Sequence, residues 1–377
     1  MGKRGQNEGS IHKRKDGRWV GVMNLGFEGG KRKRKSFYGK SQKDVREQLA
    51  KAQADRLRGM LPAPDNITVE KFFTDWLANR AEGGLRASTL VSYQRYVRNH
   101  IVPEIGKIRL TKLTPQHVED LKKAKRAAGL APRTIQYIQT ILRMGLKQAE
   151  KWGLIARNVA ALADSVSLQK KEVQPLTLEE AQQFLEFLKG HRNEALYALT
   201  LSLGLRQGEV LGVHWKDVDL KKKILRVRVA LQRIDGEFRF VEPKTARSKR
   251  TLPIPDSVVT KLRSHRARQC EERLLAGDHW KDTGLVFTSE RGAPLHAANV
   301  THELQKLLAE AGLPRQRFHD LRHACASILL AGNTHPRMVM EMLGHSQIAV
   351  TMNTYTHVMP TLLQETAVLM DRLLGNK

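Results

Sequence analysis

Four short patterns in the C-terminal half of the chain contain the side chains that could do chemistry. An arginine can bind two phosphate oxygens at once, a lysine or histidine can transfer a proton, and a tyrosine hydroxyl can act as a nucleophile. Each pattern alone is weak evidence of a functional site, because an arginine is usually solvated or in an ion pair and a lone histidine is usually a packing residue. The patterns are Gly204-Leu205-Arg206-Gln207-Gly208-Glu209, Lys244-Thr245, His319-Asp320-Leu321-Arg322-His323, and Leu343-Gly344-His345 followed ten residues later by Tyr355.

Together and in this order, the patterns resemble the signature of the tyrosine recombinases, the phage integrase family. Residues 204–220, 318–327 and 343–358 carry the resemblance. It is specific because an arginine, a lysine, a His-x-x-Arg pair, a Gly-His pair and a tyrosine must coincide. The catalytic residues that the resemblance implies are Arg206, Lys244, His319, Arg322, His345 and Tyr355.

These residue types suit the transfer of a phosphodiester without a metal. The guanidinium groups of Arg206 and Arg322 can balance the charge that develops on the two non-bridging oxygens. A tyrosine has an ordinary pKa of about 10, so Tyr355 needs a proton acceptor to attack at neutral pH, and His319 is the candidate. The product would be a 3′-phosphotyrosyl enzyme, and we expect no ATP, metal or other cofactor.

The departing 5′ oxygen must be protonated, and the resemblance assigns this step to Lys244. Arg247 and Lys249 lie nearby in the sequence, so the sequence alone leaves open which cation reaches the oxygen. The resemblance also implies that His345 hydrogen-bonds the phosphate. Glu209, one helical turn after the first arginine of the set, could orient that guanidinium or steady His345.

The composition indicates a polyanionic partner. The 377 residues include 65 Lys+Arg against 38 Asp+Glu, which gives a net charge of +27. Basic residues recur in every segment instead of forming one amphipathic patch, which favours nucleic acid over a membrane surface. No apolar run approaches the roughly 20 residues that span a bilayer, and the N-terminus does not resemble a secretory signal. We therefore expect a location in the bacterial cytoplasm or nucleoid.

Two cysteines, Cys270 and Cys325, are too few for a disulfide framework or a four-cysteine zinc site. We expect both to be reduced and structural.

Length and changes of pattern predict three domains, 1–60, 66–168 and 175–377. In the first, the turn signals Asp16-Gly17 and Gly29-Gly30 separate three short strands, and a capping pair of Ser41 and Asp44 begins a helix. In the second, apolar residues at helical spacing predict four helices. The predicted fold class is multidomain and mainly α with small β-sheets (α+β): a three-stranded sheet plus helix, a helical bundle, and a mainly helical catalytic domain with a small antiparallel sheet.

In the third domain, the pair of Thr177 and Glu180 predicts a helix start. Alternating apolar and polar residues predict one strand over 224–233. The pair Asp235-Gly236 predicts a turn after it, followed by a returning strand over 238–241 and another strand over 250–254. Leucines and a methionine at helical spacing in 361–374 predict a tail helix. That helix could dock on a neighbouring copy, as family tails do, or pack on its own domain.

The first two domains also resemble family modules. Residues 1–60 resemble an arm-binding domain, and residues 68–165 resemble a helical core-binding domain. The resemblance implies double-stranded DNA with attachment core and arm sites, a homotetramer on DNA, and a host DNA-bending protein or excision factor as partners. Candidate DNA-binding residues are Lys13, Arg18, Lys31, Arg32, Lys33, Arg34, Lys35, Arg86, Arg95 and Arg133.

Three other functions fit part of the pattern. A DNA-binding or architectural protein would use the basic modules without cutting, but it would not need the six catalytic residues. A topoisomerase or telomere-resolving enzyme would use the same tyrosine chemistry on other DNA. A chromosome-dimer-resolving recombinase would normally lack residues 1–60. The whole pattern predicts a site-specific integrase of a phage or conjugative element.

Overall fold

The computed structural model describes residues 10–28, 31–57, 66–168, 174–242 and 249–344, together with Met370 and Leu374. At positions 24–28, 31–33, 51 and 55–57 it describes the backbone alone. The chain divides into two compact units, Met1–Lys170 and Lys171–Lys377. A further division of the first unit between residues 60 and 66 stays a prediction.

The first unit begins with a three-stranded antiparallel sheet followed by a helix. The Asp44 N–H donates to the Ser41 hydroxyl at 3.1 Å and the Ser41 N–H donates to the Asp44 carboxylate at 3.1 Å, so the predicted capping pair is confirmed. A Cβ on Gly21 would lie 2.3 Å from Leu49 Cδ1, so glycine lets the helix approach the middle strand closely. The elements are β1 (Ser10–Lys13), β2 (Trp19–Glu28), β3 (Lys31–Gly39) and α1 (Gln42–Leu57).

A helical bundle forms the rest of this unit. The Thr68 hydroxyl accepts from the Lys71 N–H at 3.2 Å and caps the first helix. A π-helical segment, Val97–Ile101, joins the second and third helices. A Cβ on Gly145 would lie 2.4 Å from Phe73 Cε1, so the helix Pro132–Lys151 packs its bare backbone against an aromatic ring of the first helix. The helices are α2 (Val69–Glu82), α3 (Ala87–Tyr96), α4 (Val102–Ile105), α5 (Pro115–Ala127), α6 (Pro132–Lys151) and α7 (Val159–Leu162).

A buried lysine fastens the end of the bundle. Lys122 is 1% exposed, and its ammonium donates to the Glu119 carboxylate at 2.7 Å and to the Asp164 carbonyl at 2.6 Å. The Gln139 amide donates to the same carbonyl at 2.9 Å. Because burial of an unpaired ammonium is costly, these bonds hold the chain after α7 against α5 and α6.

The second unit is mainly helical, with a large apolar core and a smaller apolar cluster between the helices Phe318–Ala331 and Pro336–Leu343. Its first helix begins at the predicted capping pair, since the Thr177 N–H donates to Glu180 at 2.9 Å and the Glu180 N–H donates to Thr177 at 3.2 Å. Its elements are α8 (Leu178–Phe187), α9 (Glu194–Leu203), α10 (Gln207–Leu211), β4 (Val218–Asp219), β5 (Ile224–Val227), β6 (Ala230–Ile234), β7 (Glu237–Val241), β8 (Arg250–Pro253), α11 (Asp256–Ala276), α12 (Ala297–Glu310), α13 (Phe318–Ala331) and α14 (Pro336–Leu343).

The single strand predicted over 224–233 is wrong. The chain forms two strands there: β5 pairs with β4 and β8, whereas β6 pairs with β7 in a separate hairpin. Between them, Arg228 forms an ion pair with the buried Asp217 at 3.1 Å. Gly208 and Gly212 let α10 lie against β6, because a Cβ on either would come within 2.8 Å of the Leu231 backbone. The alternation of apolar and polar residues over 224–233 predicts extended backbone, but it does not show which strand each half of the segment pairs with.

The predicted fold class is confirmed. Both units combine helices with small antiparallel sheets.

Cys325 is buried and Cys270 is exposed, and both are free thiols, so only Cys325 has a packing role. Among the described helices, none combines the length and the apolar character needed to cross a membrane.

Candidate active site

The first arginine of the predicted set lies at a helix junction. Helix α9 ends at Gly204, whose φ of 60° is left-handed, and Arg206 is the N-cap of α10. The Arg206 N–H donates to Glu209 Oε2 at 3.1 Å, and its Nη1 donates to Oε1 of the same carboxylate at 2.7 Å. One side chain therefore caps α10 and orients the Arg206 guanidinium, as the spacing predicts. The Arg206 side chain remains 38% exposed.

Glu209 itself is buried, at 3% exposed. It also accepts from Arg250 Nη2 at 2.9 Å. Burial acts to raise the pKa of the Glu209 carboxyl, but Arg250 and Arg206 more than offset it, so the pKa lies below its ordinary value. The carboxylate is thus ionised at neutral pH and shared by two guanidinium groups.

The second predicted arginine, Arg322 on α13, is 1% exposed. Its Nη1 donates to the Gly204 carbonyl at 2.7 Å and its Nη2 donates to the Leu343 carbonyl at 2.6 Å. These carbonyls end α9 and α14, where the helix dipoles are negative and favour a cation. Arg322 therefore holds two helix ends together.

Close packing surrounds this junction. A Cβ on Gly204 would lie 2.3 Å from Leu343 Cδ2 and 3.4 Å from Cys325 Sγ. Burial raises the pKa of the Cys325 thiol to about 12, so this cysteine stays protonated and packs as an apolar group. The glycine thus satisfies both the left-handed turn and the space available.

Two histidines lie one turn apart near the start of α13. The rings of His319 and His323 are edge to face with centroids 4.9 Å apart. His319 keeps a solvent-exposed side, yet loss of water around the rest of the ring, followed by the charges of His323 and Arg322, lowers its pKa to about 4. It is therefore neutral at pH 7 and can accept a proton.

The start of α13 is fixed by Asp320, which is buried. Its carboxylate accepts from the Arg317 N–H and from the Arg317 guanidinium, both at 2.8 Å. Burial acts to raise the Asp320 pKa, but the bonds from Arg317 lower it further than burial raises it. The capping interaction fixes the first turn of α13, which contains His319.

Comparison with known proteins shows the family of the chain. A family model described as "Phage integrase family" matches residues 174–361, and one described as "Phage integrase, N-terminal SAM-like domain" matches residues 68–125. The chain is 32% identical to a tyrosine recombinase XerC-like protein of Caldanaerobacter subterraneus subsp. tengcongensis, across 88% of this chain and 90% of the relative. The chain belongs to the phage integrase family. It is therefore a tyrosine-type site-specific recombinase.

One further relative and one solved structure are similar to this phage integrase family member over most of its length. It is 30% identical to an integrase of Streptomyces ambofaciens, across 98% of this chain and 97% of the relative. Its fold is similar to that of the Tn1549 transposon integrase, solved in complex with transposon right end DNA, with a TM-score of 0.66 at 21% identity. That match covers 82% of this chain and 100% of the other.

Three of the six predicted catalytic residues of this recombinase are described, namely Arg206, His319 and Arg322. The structure brings them together, since the charges of Arg322 and Arg206 both act on the His319 ring. The other three, Lys244, His345 and Tyr355, lie outside the described residues, as do Arg247 and nearly all of the predicted tail helix. Lys249 pairs with Glu242 at 3.0 Å.

The sequence reasoning missed Arg250. Its side chain is 7% exposed and lies within the same network, yet nothing local in the sequence marks it. The available signal was its position, six residues after Lys244 at the start of a strand. The burial of Arg250 follows from the pairing of β8 with β5, which the sequence does not show.

The predicted DNA-binding residues of the recombinase are mostly exposed where their side chains are described. Lys13, Arg18 and Arg34 are exposed in the N-terminal sheet, and Lys35 lies 5.7 Å over the Phe37 ring. In the helical bundle, exposed side chains belong to Arg86, Arg95 and Arg133. For Lys31, Arg32 and Lys33 the structure describes backbone only, on β3.

Proposed function

We propose that this recombinase is a DNA integrase that cuts and rejoins strands through a 3′-phosphotyrosine at Tyr355. The observation that carries the proposal is the meeting of Arg206, Arg322 and an uncharged His319 at the junction of three helix ends. This set supplies charge for a phosphate and an acceptor for a proton. DNA is the partner, as it is for the Tn1549 integrase.

The two arginines have different access to a phosphate. Arg206 is 38% exposed at its side chain, so its guanidinium can contact a non-bridging oxygen directly. Arg322 is 1% exposed, so a phosphate contacts it only after the groups that cover it have moved. Its two carbonyl bonds keep its charge at a fixed position, which is what electrostatic stabilisation of a transition state requires.

In the first step the Tyr355 hydroxyl oxygen attacks the scissile phosphorus, and its proton passes to the neutral ring of His319. The new phosphotyrosine bond forms as the bond to the 5′ oxygen breaks. Lys244, or the neighbouring Arg247 or Lys249, donates a proton to that oxygen. His345 hydrogen-bonds the phosphate. No atom of a cofactor takes part in this balance.

In the second step a 5′ hydroxyl from a partner strand attacks the phosphotyrosine and restores the diester. Two such exchanges pass through a four-way junction, so four copies act on two sites. The bond energy is kept in the covalent intermediate, and the reaction therefore needs no ATP.

Each of the three predicted domains has a different role on the DNA. Residues 1–60 bind arm sites, residues 66–168 bind the core site, and residues 175–377 carry the catalytic residues. The ten basic candidates named above contact phosphates, and the reaction takes place in the bacterial cytoplasm or nucleoid with a host DNA-bending protein or an excision factor. The charge of +27 and the exposed positions of the described basic side chains support the contacts with phosphates.

One observation favours a second function, resolution of chromosome dimers. The relative with 32% identity is named XerC-like. The two functions differ in their need for arm sites, since a dimer resolver acts on core sites alone.

Recombination between two DNA duplexes in EDTA tests the proposal. The full-length protein should join duplexes that carry candidate attachment cores, and flanking arm sites should increase the yield. Equal yields with and without arm sites would favour dimer resolution. Recombination that requires a divalent metal or ATP would contradict the proposed chemistry.

A further inference from the structure

Arg250, the first residue of β8, is buried in the middle of the arginine network. Its Nη2 donates to Glu209 Oε2 at 2.9 Å and its Nη1 lies 3.4 Å from Glu209 Oε1. Its Nε donates to the Met342 carbonyl at 2.7 Å. One planar guanidinium therefore bridges α10 and the end of α14.

At the end of α14, the carbonyls of its last two residues and of the C-cap Gly344 each accept from a different arginine. These groups carry the negative end of the helix dipole and have no partner within the helix. They lie directly before His345 in the chain. The three bonds run from Arg250 Nε to Met342 at 2.7 Å, from Arg322 Nη2 to Leu343 at 2.6 Å, and from Arg206 Nη2 to Gly344 at 3.4 Å.

Glu209 connects Arg250 to the exposed arginine. Both carboxylate oxygens of Glu209 are engaged, with Arg206 on one side and Arg250 on the other. At 3% exposed, this carboxylate depends on its partners to stay ionised. Loss of Arg250 would leave Glu209 with one cation and loosen the set of bonds that orients Arg206.

We propose that Arg250 is a positioning residue for strand cleavage: through Glu209 it sets the Arg206 guanidinium, and through Met342 it sets the end of α14 from which the chain continues to His345. The proposal rests on the proposed function. Arg250 follows the β7–β8 connection that contains Lys244, so it ties the start of β8 to the same network.

The test is single-turnover cleavage of a nicked attachment-site duplex by Arg250→Met, Glu209→Gln and the double variant. We expect each single variant to cleave at least about tenfold more slowly, and the double variant to be slowed by clearly less than the product of the two single effects, because only the contact with the Met342 carbonyl is then left for Arg250 to act through. Multiplication of the two effects in the double variant would show that Arg250 does not act through Glu209, and would overturn the proposal.

A second substrate separates positioning from general loss of structure. A methylphosphonate at the scissile position lacks one non-bridging oxygen charge and therefore depends less on Arg206. With it, Arg250→Met should cleave within about threefold of the unmodified protein. An equal loss on both substrates would indicate a structural role and would also overturn the proposal.

Arg192→Met is the matched control, because Arg192 makes a bidentate ion pair with Glu272 at 2.7 Å in the same unit. It should cleave both substrates normally. If Arg250→Met does not fold, Arg250→Lys replaces it, because lysine keeps the positive charge. Arg250→Lys should also lose less rate on the methylphosphonate substrate than on the ordinary phosphate. A folded Arg250→Lys that loses the same rate on both substrates would overturn the proposal. Absence of cleavage by the unmodified protein would instead contradict the proposed function.

Discussion

The Arg322 guanidinium donates to the carbonyl of Gly204 at 2.7 Å, although the two residues are 118 positions apart in the chain. The carbonyl is available because Gly204 ends α9 in a left-handed conformation, with φ of 60°. The same guanidinium reaches the end of α14. The geometry of the site therefore depends on where these two helices stop.

Gly204→Ala should destabilise the second unit strongly. A left-handed alanine costs about 1–2 kcal/mol, and the contact of the new Cβ with Leu343 adds about 1–3 kcal/mol. Gly190→Ala is the matched control, since Gly190 has φ of 77° and nothing within 4 Å of its Cβ position. Urea unfolding should show a clearly larger loss for Gly204→Ala. Equal losses would mean that the close packing at Gly204 contributes nothing.

Arg206→Lys and Arg322→Lys should differ in stability although both lower activity. A lysine cannot form the paired bonds of a guanidinium, so each variant should cleave DNA about 10²–10³-fold more slowly. Arg322→Lys should also lower the free energy of unfolding by about 2–4 kcal/mol, because two buried carbonyls lose their partner. Arg206→Lys, with an exposed side chain, should change it by less than about 1 kcal/mol. Similar stabilities for the two variants would contradict the burial difference.

The pKa of about 4 for His319 predicts how cleavage depends on pH. His319 remains an acceptor from about pH 8 to about pH 5.5, so the ratio of the rates of the unmodified protein and His319→Gln should be constant over that range. Dividing the two rates removes the titration of other groups. A ratio that falls towards one below about pH 6.5 would show that His319 keeps its ordinary pKa.

The same shift affects stability. Since the pKa of His319 in the folded protein is below the ordinary 6.5, the unfolded chain binds more protons between pH 6.5 and about 4. The free energy of unfolding should therefore fall as the pH is lowered through this window. In His319→Gln the fall should be smaller. An identical pH dependence in urea titrations of both proteins would be evidence against the shift.

Lys122→Met should destabilise the helical bundle. The variant leaves the Asp164 carbonyl and Glu119 without the ammonium that both contact, which should cost about 1–3 kcal/mol. Lys123→Met, at an exposed position of the same helix, should cost less than about 0.5 kcal/mol. Thermal unfolding of the two variants compares them directly, and equal midpoints would be inconsistent with an anchoring role for Lys122.

Local chemistry made some of these features predictable from the sequence. The capping pairs at Ser41 and Thr177 were predicted because their partners lie three residues away, and both are confirmed. Glu209 was predicted beside Arg206 for the same reason. Interactions within one helical turn are encoded by spacing alone.

Long-range pairing was not predictable in this way. The strand expected over 224–233 divides because its halves find partners in different sheets, and this choice depends on distant segments. Arg250 was missed because its contact with Glu209 spans 41 positions and its contact with Met342 spans 92. Resemblance to the phage integrase family supplied the predicted catalytic residues but no information on this arginine.

The most direct test of the account is the capture of the covalent intermediate. Full-length protein is incubated in EDTA with attachment-site DNA that is nicked near the cleavage position, so that the freed 5′ end is lost and rejoining is prevented. We predict a denaturant-stable protein–DNA adduct that forms with the unmodified protein and is absent with Tyr355→Phe. An adduct that persists in Tyr355→Phe would contradict the assignment of the nucleophile.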